Sequence, residues 1–192
     1  MTDKIENIIT DEDWLETDPD QRIEIVEGEF IAEDEESMTY LHVIVIDNLY
    51  DLLKLFVRTK QLGRVQTDGI KYVLKREGKK IIVGRIPDLS FVRRERFPEN
   101  FEWSGNFEGA PDLAVEVSSP GQTTQKTLEK IHDYLKYGSQ EAWAIYPKSR
   151  ELHRYQNNTT PPRIYHEGET FEVENLFPGL QISVSDIFKL EA

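Results

Sequence analysis

Two acidic segments of the chain, each introduced by Pro-Asp, combine carboxylates with an apolar strand pattern. The first contains Asp88, and the second contains Asp112 and Glu116. Carboxylate oxygens hold Mg²⁺ beside substrate phosphates, and such an ion can polarise a phosphoryl oxygen and lower the pKa of an attacking water. Lys130 follows in the next segment, where an ammonium group could stabilise charge that develops on a phosphate. These residue types are those of a metal-dependent phosphodiester hydrolase.

The alternation of side chains along a strand decides which of these acids face one another. Asp112 and Glu116 share one face of the second segment, and its leucine and valine residues share the other. If the two segments pair, Asp88 and Glu116 converge on one side of the sheet. Two structural alternatives stay open: an Asp after Pro is a common turn-former, and Glu116 could form an ion pair with Lys130. A glutamate between two valines is costly to bury alone, so a pocket, a metal or an ion pair must accompany it.

The segments that must position these residues alternate between strand-like and helix-like patterns. A long helix over residues 39–60 has apolar residues at helical spacing and a stop at Gly63, and a second helix over 123–137 carries Lys130. The remaining predicted elements are a hairpin at 22–32, strands at 64–74, 80–92 and 112–118, an exposed loop at 93–109, a hairpin at 141–155 and a mostly irregular C-terminal part. We predict one mixed α/β (α+β) domain over residues 1–192.

Composition restricts the class of protein and its ligands. The chain has 192 residues, a formal net charge of −13 and no cysteine, so any metal must be held by oxygen or imidazole ligands. No run approaches the ~20 apolar residues that span a bilayer, and the N-terminus lacks a signal-peptide pattern. These features predict a cytoplasmic protein that does not enter a membrane.

Charge and aromatic content bear on nucleic-acid binding in opposite directions. The negative charge is concentrated in residues 11–36, where Arg22 is the one basic residue, whereas surfaces that bind phosphates are usually basic. The loop 93–109 mixes arginines with aromatic residues, a composition that suits nucleic-acid contacts. The same composition suits a loop that packs on its own aromatic side chains. Total charge therefore argues against tight DNA binding, and the distribution of charge leaves it open.

Several motifs occur in the order of a known family. The run APDLAVEVSSPGQ is followed by Lys130, Tyr134 and EAWAIYP, and it is preceded by RIEIVEGEF and Pro87-Asp88. With the closing segment 176–187, this order resembles the putative restriction endonuclease family of the PD-(D/E)XK nuclease superfamily over about residues 14–188. The resemblance implies a restriction-endonuclease-like core, which is a central mixed β-sheet flanked by helices, with the N-terminal hairpin and the long helix beside it.

The resemblance also implies a site. Asp88 and Glu116 would be metal ligands and, with Lys130, the catalytic core. The superfamily's usual lysine position, two residues after the second acid, is Ser118 here, and the family's lysine stands on the following helix instead. A glutamate of the N-terminal hairpin, identified as Glu27, would be a further metal ligand.

Three residues are predicted as accessory members of the site. His42 matches a family histidine at the start of the long helix, and Tyr134 extends the helix face that holds Lys130. Asp112 is assigned first to ordering the turn before its strand. The implied cofactor is Mg²⁺ or Mn²⁺, the implied substrate is DNA, and a homodimer is expected because cutting both strands generally requires two active sites.

Two other functions remain as alternatives. A nuclease-derived scaffold that binds a partner protein or itself and has lost turnover is favoured by the net charge of −13. A hydrolase of small phosphodiesters would keep the metal site and dispense with a DNA groove, and its binding would depend little on salt.

Overall fold

The structure is a computed structural model and describes residues 8–18, 21–32, 39–67, 69–119, 123–157 and 159–190. Within these residues the α-helices are α1 (Asp11–Leu15), α2 (Tyr40–Lys60), α3 (Thr124–Lys136) and α4 (Val184–Ile187). A 3₁₀ turn spans Arg94–Arg96. In this part of the chain, no helix combines the length and the apolar character that a membrane crossing requires.

The described strands fall into two large sheets and one small pair. Their bounds are β1 (Ile23–Val26), β2 (Glu29–Ala32), β3 (Gly63–Thr67), β4 (Tyr72–Glu77), β5 (Lys80–Arg85), β6 (Leu89–Arg93), β7 (Phe107–Glu108), β8 (Leu113–Val117), β9 (Glu141–Tyr146), β10 (Glu151–Gln156), β11 (Thr159–His166), β12 (Thr170–Glu172) and β13 (Gln181–Ser183). One sheet has the order β11-β10-β9-β8-β6-β3, the other has the order β2-β1-β5-β4-β7, and β12 pairs with β13.

The six-stranded sheet is mixed and lies between the two long helices. Strand β8 pairs in parallel with β9 and antiparallel with β6, and α3 makes the crossover that a parallel pair requires. Leucines and valines of α2 pack with the apolar face of β8 in one cluster, whereas Ile131 and Tyr134 of α3 pack with alanines of β8 and β9 in another. The predicted mixed sheet flanked by helices, with a hairpin and a long helix beside it, is confirmed.

Three local predictions differ from the structure. Residues 64–74 form two strands in different sheets, because the chain turns between β3 and β4. The long helix ends at Lys60 and is capped by Gln61, which adopts a left-handed conformation with φ 55°, and Gly63 begins β3 instead. The C-terminal part contains β11 to β13 and α4, whose Phe171 and Val184 are buried in the core. Short strands there carry too few residues to show a periodic pattern.

The loop 93–109 packs on its own aromatic side chains. Phe97 stacks on Trp103 with ring centroids 5.4 Å apart and an interplanar angle of 7°, and the Arg64 guanidinium carbon lies 4.5 Å from the Trp103 centroid. Phe101 packs edge-on against the same indole, with ring centroids 4.7 Å apart, although Trp103 remains 58% exposed. The arrangement favours the packed loop over a platform for stacking bases.

A close contact between β5 and α1 makes one position sensitive to a single added methyl group. A Cβ on Gly84 would lie 2.5 Å from an indole carbon of Trp14, and that indole is fully buried and donates from Nε1 to the Ile23 carbonyl at 2.7 Å. We expect Gly84→Ala to lower the free energy of unfolding by about 1–3 kcal/mol and to change tryptophan fluorescence. Chemical denaturation measures this. Gly105→Ala is the control, since its Cβ would meet nothing closer than 3.7 Å; equal stabilities of the two variants would contradict the expectation.

Candidate active site

Strand pairing brings the two predicted metal ligands together. Asp88 immediately precedes β6, and Glu116 lies in β8; the antiparallel register pairs Leu89 with Val115, so the next step along each strand places Asp88 opposite Glu116. Asp88 Oδ2 accepts a hydrogen bond from the Val117 backbone N–H at 2.6 Å. Cross-strand neighbours have Cβ atoms about 5 Å apart, which is close enough for the two carboxylates to share a ligand.

Helix α3 supplies the next two side chains from successive turns. Lys130 and Tyr134 are four residues apart and therefore lie on one helix face, and both are buried against β8. The Tyr134 hydroxyl donates to Glu116 Oε1 at 2.7 Å, and Lys130 Nζ lies 3.4 Å from Glu116 Oε2. The structure thus brings Asp88, Glu116, Lys130 and Tyr134 into one buried cluster.

The hairpin glutamate that lies in the cluster is Glu24, and the structure does not bring the predicted Glu27 to it. Lys130 Nζ lies 3.4 Å from Glu24 Oε1, and the same oxygen accepts from the Ile86 backbone N–H at 3.0 Å. Glu27 is exposed in the turn between β1 and β2, with φ 52°. The sequence pattern could have identified Glu24, because it stands between two isoleucines in a strand, as Glu116 stands between two valines.

A second buried ion-pair network holds Glu24 in place. Arg85 Nη1 lies 2.7 Å from Glu24 Oε2, and Arg85 Nη2 lies 2.6 Å from Asp133 Oδ2 on α3. The arginine therefore ties β1, β5 and α3 together beside the cluster. Sequence reasoning did not identify Arg85 or Asp133.

Arg22 is a further member that sequence reasoning missed. Its Nη1 lies 2.5 Å from Asp88 Oδ1, and its Nη2 donates to the Ile86 carbonyl. The three buried carboxylates Glu24, Asp88 and Glu116 are therefore accompanied by the three cations Arg22, Arg85 and Lys130. The sequence does distinguish Arg22, because it is the one basic residue in the acidic segment 11–36.

His42 lies next to Asp88, as the first turn of α2 reaches the site. Its ring is buried, its Nδ1 is 3.1 Å from Ser119 Oγ, and its Nε2 is 3.7 Å from Asp88 Oδ1. Among the described residues, no group forms a hydrogen bond with Nε2.

Asp112 is not brought to the cluster. It precedes β8, at the end away from Glu116, and its Oδ2 accepts from the Arg93 backbone N–H at 2.9 Å. Arg96 Nη1 lies 3.4 Å from the same oxygen. These contacts join the turn before β8 to the end of β6, which is an ordering role. A surface cavity of about 460 Å³ lies at this end of β6, lined by Gln61 and Arg93 among others, and none of the clustered acids lines it.

Burial and mutual charge set the proton affinities of the cluster. Burial and then the charge of Asp88 raise the pKa of Glu116 well above its ordinary value. Burial would raise the pKa of Glu24 as well, but the charges of Lys130 and Arg85 outweigh it and lower that pKa. Burial lowers the pKa of Lys130 to about 8, against the opposing effect of Glu24. Of these two glutamates, Glu116 is the one whose negative charge is less compensated.

The chemistry of the donors fits a hard divalent cation. Neighbouring buried carboxylates, one of them with a raised pKa, are a set that a positive ion would stabilise. The ligands are not arranged as a ready cage: within the described residues, no group of three or more acids and histidines is placed to hold an ion together. Asp88 Oδ1 accepts from Arg22 instead, so an ion bound there would displace that guanidinium.

Comparison with known proteins identifies the family. A family model described as putative restriction endonuclease, Uma2, matches residues 11–185. The crystal structure of a putative nuclease belonging to DUF820 from Anabaena variabilis ATCC 29413 is similar with a TM-score of 0.75 and 22% identity, over 94% of this chain and 97% of that chain. At this identity the likeness shows the fold alone. A search of curated proteins gave no match. Because the family model spans most of the chain, the protein belongs to the Uma2 family of putative restriction endonucleases.

Proposed function

We propose that this protein is a nuclease that uses Mg²⁺ or Mn²⁺ to hydrolyse phosphodiester bonds of DNA. The observation that carries the proposal is the convergence of Asp88, Glu116 and Lys130 from two strands and a helix into one buried cluster. Family membership and the fold support the same class of activity. Residues 1–192 would act as one nuclease domain.

Each residue of the cluster has a role that follows from its contacts. Asp88 and Glu116 would hold the ion, with Glu24 beside them, and the bound ion would polarise the phosphoryl oxygen and lower the pKa of the attacking water. Tyr134 holds Glu116 Oε1 through its hydroxyl. Lys130, with a pKa of about 8, remains mostly protonated at neutral pH and would stabilise negative charge on the phosphate.

The net charge of −13 supports the competing function of a scaffold without turnover. A hydrolase of small phosphodiesters also needs no basic groove. A nuclease of this charge would bind DNA weakly at physiological salt, and pairing of two copies would be the means to place two sites on one duplex. We therefore include a homodimer in the proposal.

We expect Lys130→Met to reduce Mg²⁺-dependent nicking of plasmid DNA by at least about 100-fold, the usual cost of losing one electrostatic contact to a transition state. Lys136→Met is the control, because Lys136 is an exposed lysine on the same helix, and it should nick DNA at the wild-type rate. Gel assays of nicking and calorimetric titration with Mn²⁺ provide the measurements.

Three outcomes separate the candidate functions. Folded wild-type protein that neither binds Mn²⁺ nor cuts nucleic acid would overturn the nuclease and favour the scaffold. Turnover of bis(p-nitrophenyl) phosphate without any cleavage of DNA would favour the small-substrate hydrolase. Equal rates for Lys130→Met and Lys136→Met would remove Lys130 from the mechanism.

A further inference from the structure

His42 is held in a fixed orientation by its surroundings on α2 and after β8. Thr39 caps the helix by accepting from the His42 backbone N–H, and the ring is only 4% exposed. Nδ1 lies 3.1 Å from Ser119 Oγ. In the tautomer in which Nδ1–H donates to this hydroxyl oxygen, the lone pair of the ring lies on Nε2.

The other ring nitrogen has no hydrogen-bond partner within the described residues, although it is buried. A buried polar atom without a partner costs about 1–3 kcal/mol, so a histidine with only a packing role would be expected to satisfy it. Nε2 is directed at the site, 3.7 Å from Asp88 Oδ1. That separation is too long for a hydrogen bond.

The separation does suit two ligands of one ion. Ligands about 2.1 Å from a six-coordinate ion lie about 3 Å apart when adjacent and about 4 Å apart when opposite. A buried ring nitrogen directed at the site, with the other nitrogen held by a hydrogen bond, is the arrangement of a metal-binding histidine.

We infer that His42 Nε2 becomes a nitrogen ligand of the metal, beside oxygens of Asp88 and Glu116, when the ion displaces the Arg22 guanidinium from Asp88, and that Ser119 orients the ring. The inference rests on the proposed function, because it assigns a ligand to the metal of that function. A mixed nitrogen and oxygen set favours first-row transition ions over Mg²⁺, and affinity for such sites rises from Mn²⁺ to Co²⁺. The site would therefore select Mn²⁺ or Co²⁺ over Mg²⁺.

Metal binding by the free protein tests this without any assay of cleavage. Calorimetric titrations with Mn²⁺, Co²⁺ and Mg²⁺ should show that His42→Gln weakens binding of Mn²⁺ and Co²⁺ at least tenfold and binding of Mg²⁺ much less. His132→Gln is the control, since His132 is exposed on α3, and it should bind like the wild type. Ser119→Ala should weaken Mn²⁺ binding about tenfold, as changes beside a metal ligand usually do.

Pulsed electron paramagnetic resonance of the Mn²⁺-loaded wild type adds a measurement that needs no variant. Coupling of the ion to a directly bonded nitrogen is expected, and it should vanish in His42→Gln. Mn²⁺ bound by the wild type without nitrogen coupling would overturn this inference and leave the metal-dependent nuclease standing. Failure of the folded wild type to bind any of the three ions would overturn both the inference about His42 and the proposed metal-dependent nuclease.

Discussion

Glu116→Gln is expected to abolish metal-dependent cleavage and at the same time to stabilise the metal-free protein near neutral pH. The reason is that burial and the neighbouring charge of Asp88 raise the pKa of Glu116 well above its ordinary value, so ionising this carboxyl in the folded protein is unfavourable. Glutamine keeps an oxygen that can accept from Tyr134, whose hydroxyl lies 2.7 Å from Glu116 Oε1. Lys130 keeps Glu24 as a partner at 3.4 Å.

The dependence on pH has a definite sign. Since the folded pKa of Glu116 is raised, the favourable contribution of its protonated form is fully present below the unfolded pKa, near 4.5. It is lost as the pH rises through the higher folded pKa. Wild type and Glu116→Gln should therefore have similar stabilities near pH 4, and at pH 7.5 the variant should be more stable by about 1 kcal/mol or more. Urea denaturation in EDTA across this range measures the difference.

Glu141→Gln is the control, because the same substitution at another buried glutamate should have the opposite effect. Glu141 lies in β9, with Arg154 Nη2 at 2.5 Å and an indole N–H donated by Trp143 at 2.9 Å. Removing one member of a buried ion pair usually lowers the free energy of unfolding by about 3–5 kcal/mol. A Glu116→Gln protein that is less stable than the wild type at pH 7.5 without metal would show that Glu116 is a structural ion-pair residue.

Arg85→Met is expected to be among the most destabilising single changes in the protein, at about 3–5 kcal/mol near neutral pH. Arg85 is 7% exposed and contacts Glu24 at 2.7 Å and Asp133 at 2.6 Å. Its loss would leave two carboxylates at the junction of β1, β5 and α3 with less positive charge beside them. Thermal and urea denaturation measure the effect.

Acidification should reduce the difference in free energy of unfolding between the wild type and Arg85→Met. In the wild type, Lys130 and Arg85 outweigh the effect of burial and lower the pKa of Glu24, so the stability that this ion pair contributes is present above the unfolded pKa and is lost as the pH falls through the folded one. The gap between wild type and Arg85→Met should thus narrow below about pH 4.5.

Arg76→Met tests whether burial is the reason for the large effect. Arg76 also pairs with two carboxylates, those of Asp11 and Glu108, but its side chain is 26% exposed and both partners are more exposed still. Solvent-exposed ion pairs usually contribute less than about 1 kcal/mol to the free energy of unfolding. Equal losses of stability in Arg76→Met and Arg85→Met would contradict the expectation for the buried network.

In the aromatic loop and in the N-terminal hairpin, the local sequence was compatible with more than one structure. The composition of residues 93–109 was compatible with stacking on bases and with packing on itself, and the contacts of Phe97 and Phe101 with Trp103 favour the second. In the hairpin, both Glu24 and Glu27 belonged to a plausible motif. Glu24 lies within β1 and turns its side chain inward, whereas Glu27 lies in the turn. Which of the two enters the site therefore depends on where the strand ends and on which strand face is buried.

What the sequence by itself determined is the set of local geometries. Alternation along β8 placed Glu116 on a different face from the valines beside it, and helical spacing placed Lys130 and Tyr134 on one face of α3. The family motifs in the chain determined the fold class. These features are periodic or contiguous, so neighbouring residues are enough to specify them.

Only the tertiary structure decided which charges meet. Arg22 reaches Asp88 across 66 positions of sequence, and Arg85 reaches Glu24 across 61. His42 lies against Ser119, 77 positions away. Such pairings follow from sheet register and from the docking of α2 and α3 on opposite faces of the sheet, and no short pattern encodes them. The partners of a buried carboxylate are therefore chosen by packing of distant segments, because electrostatic compensation acts through space whereas periodicity acts along the chain.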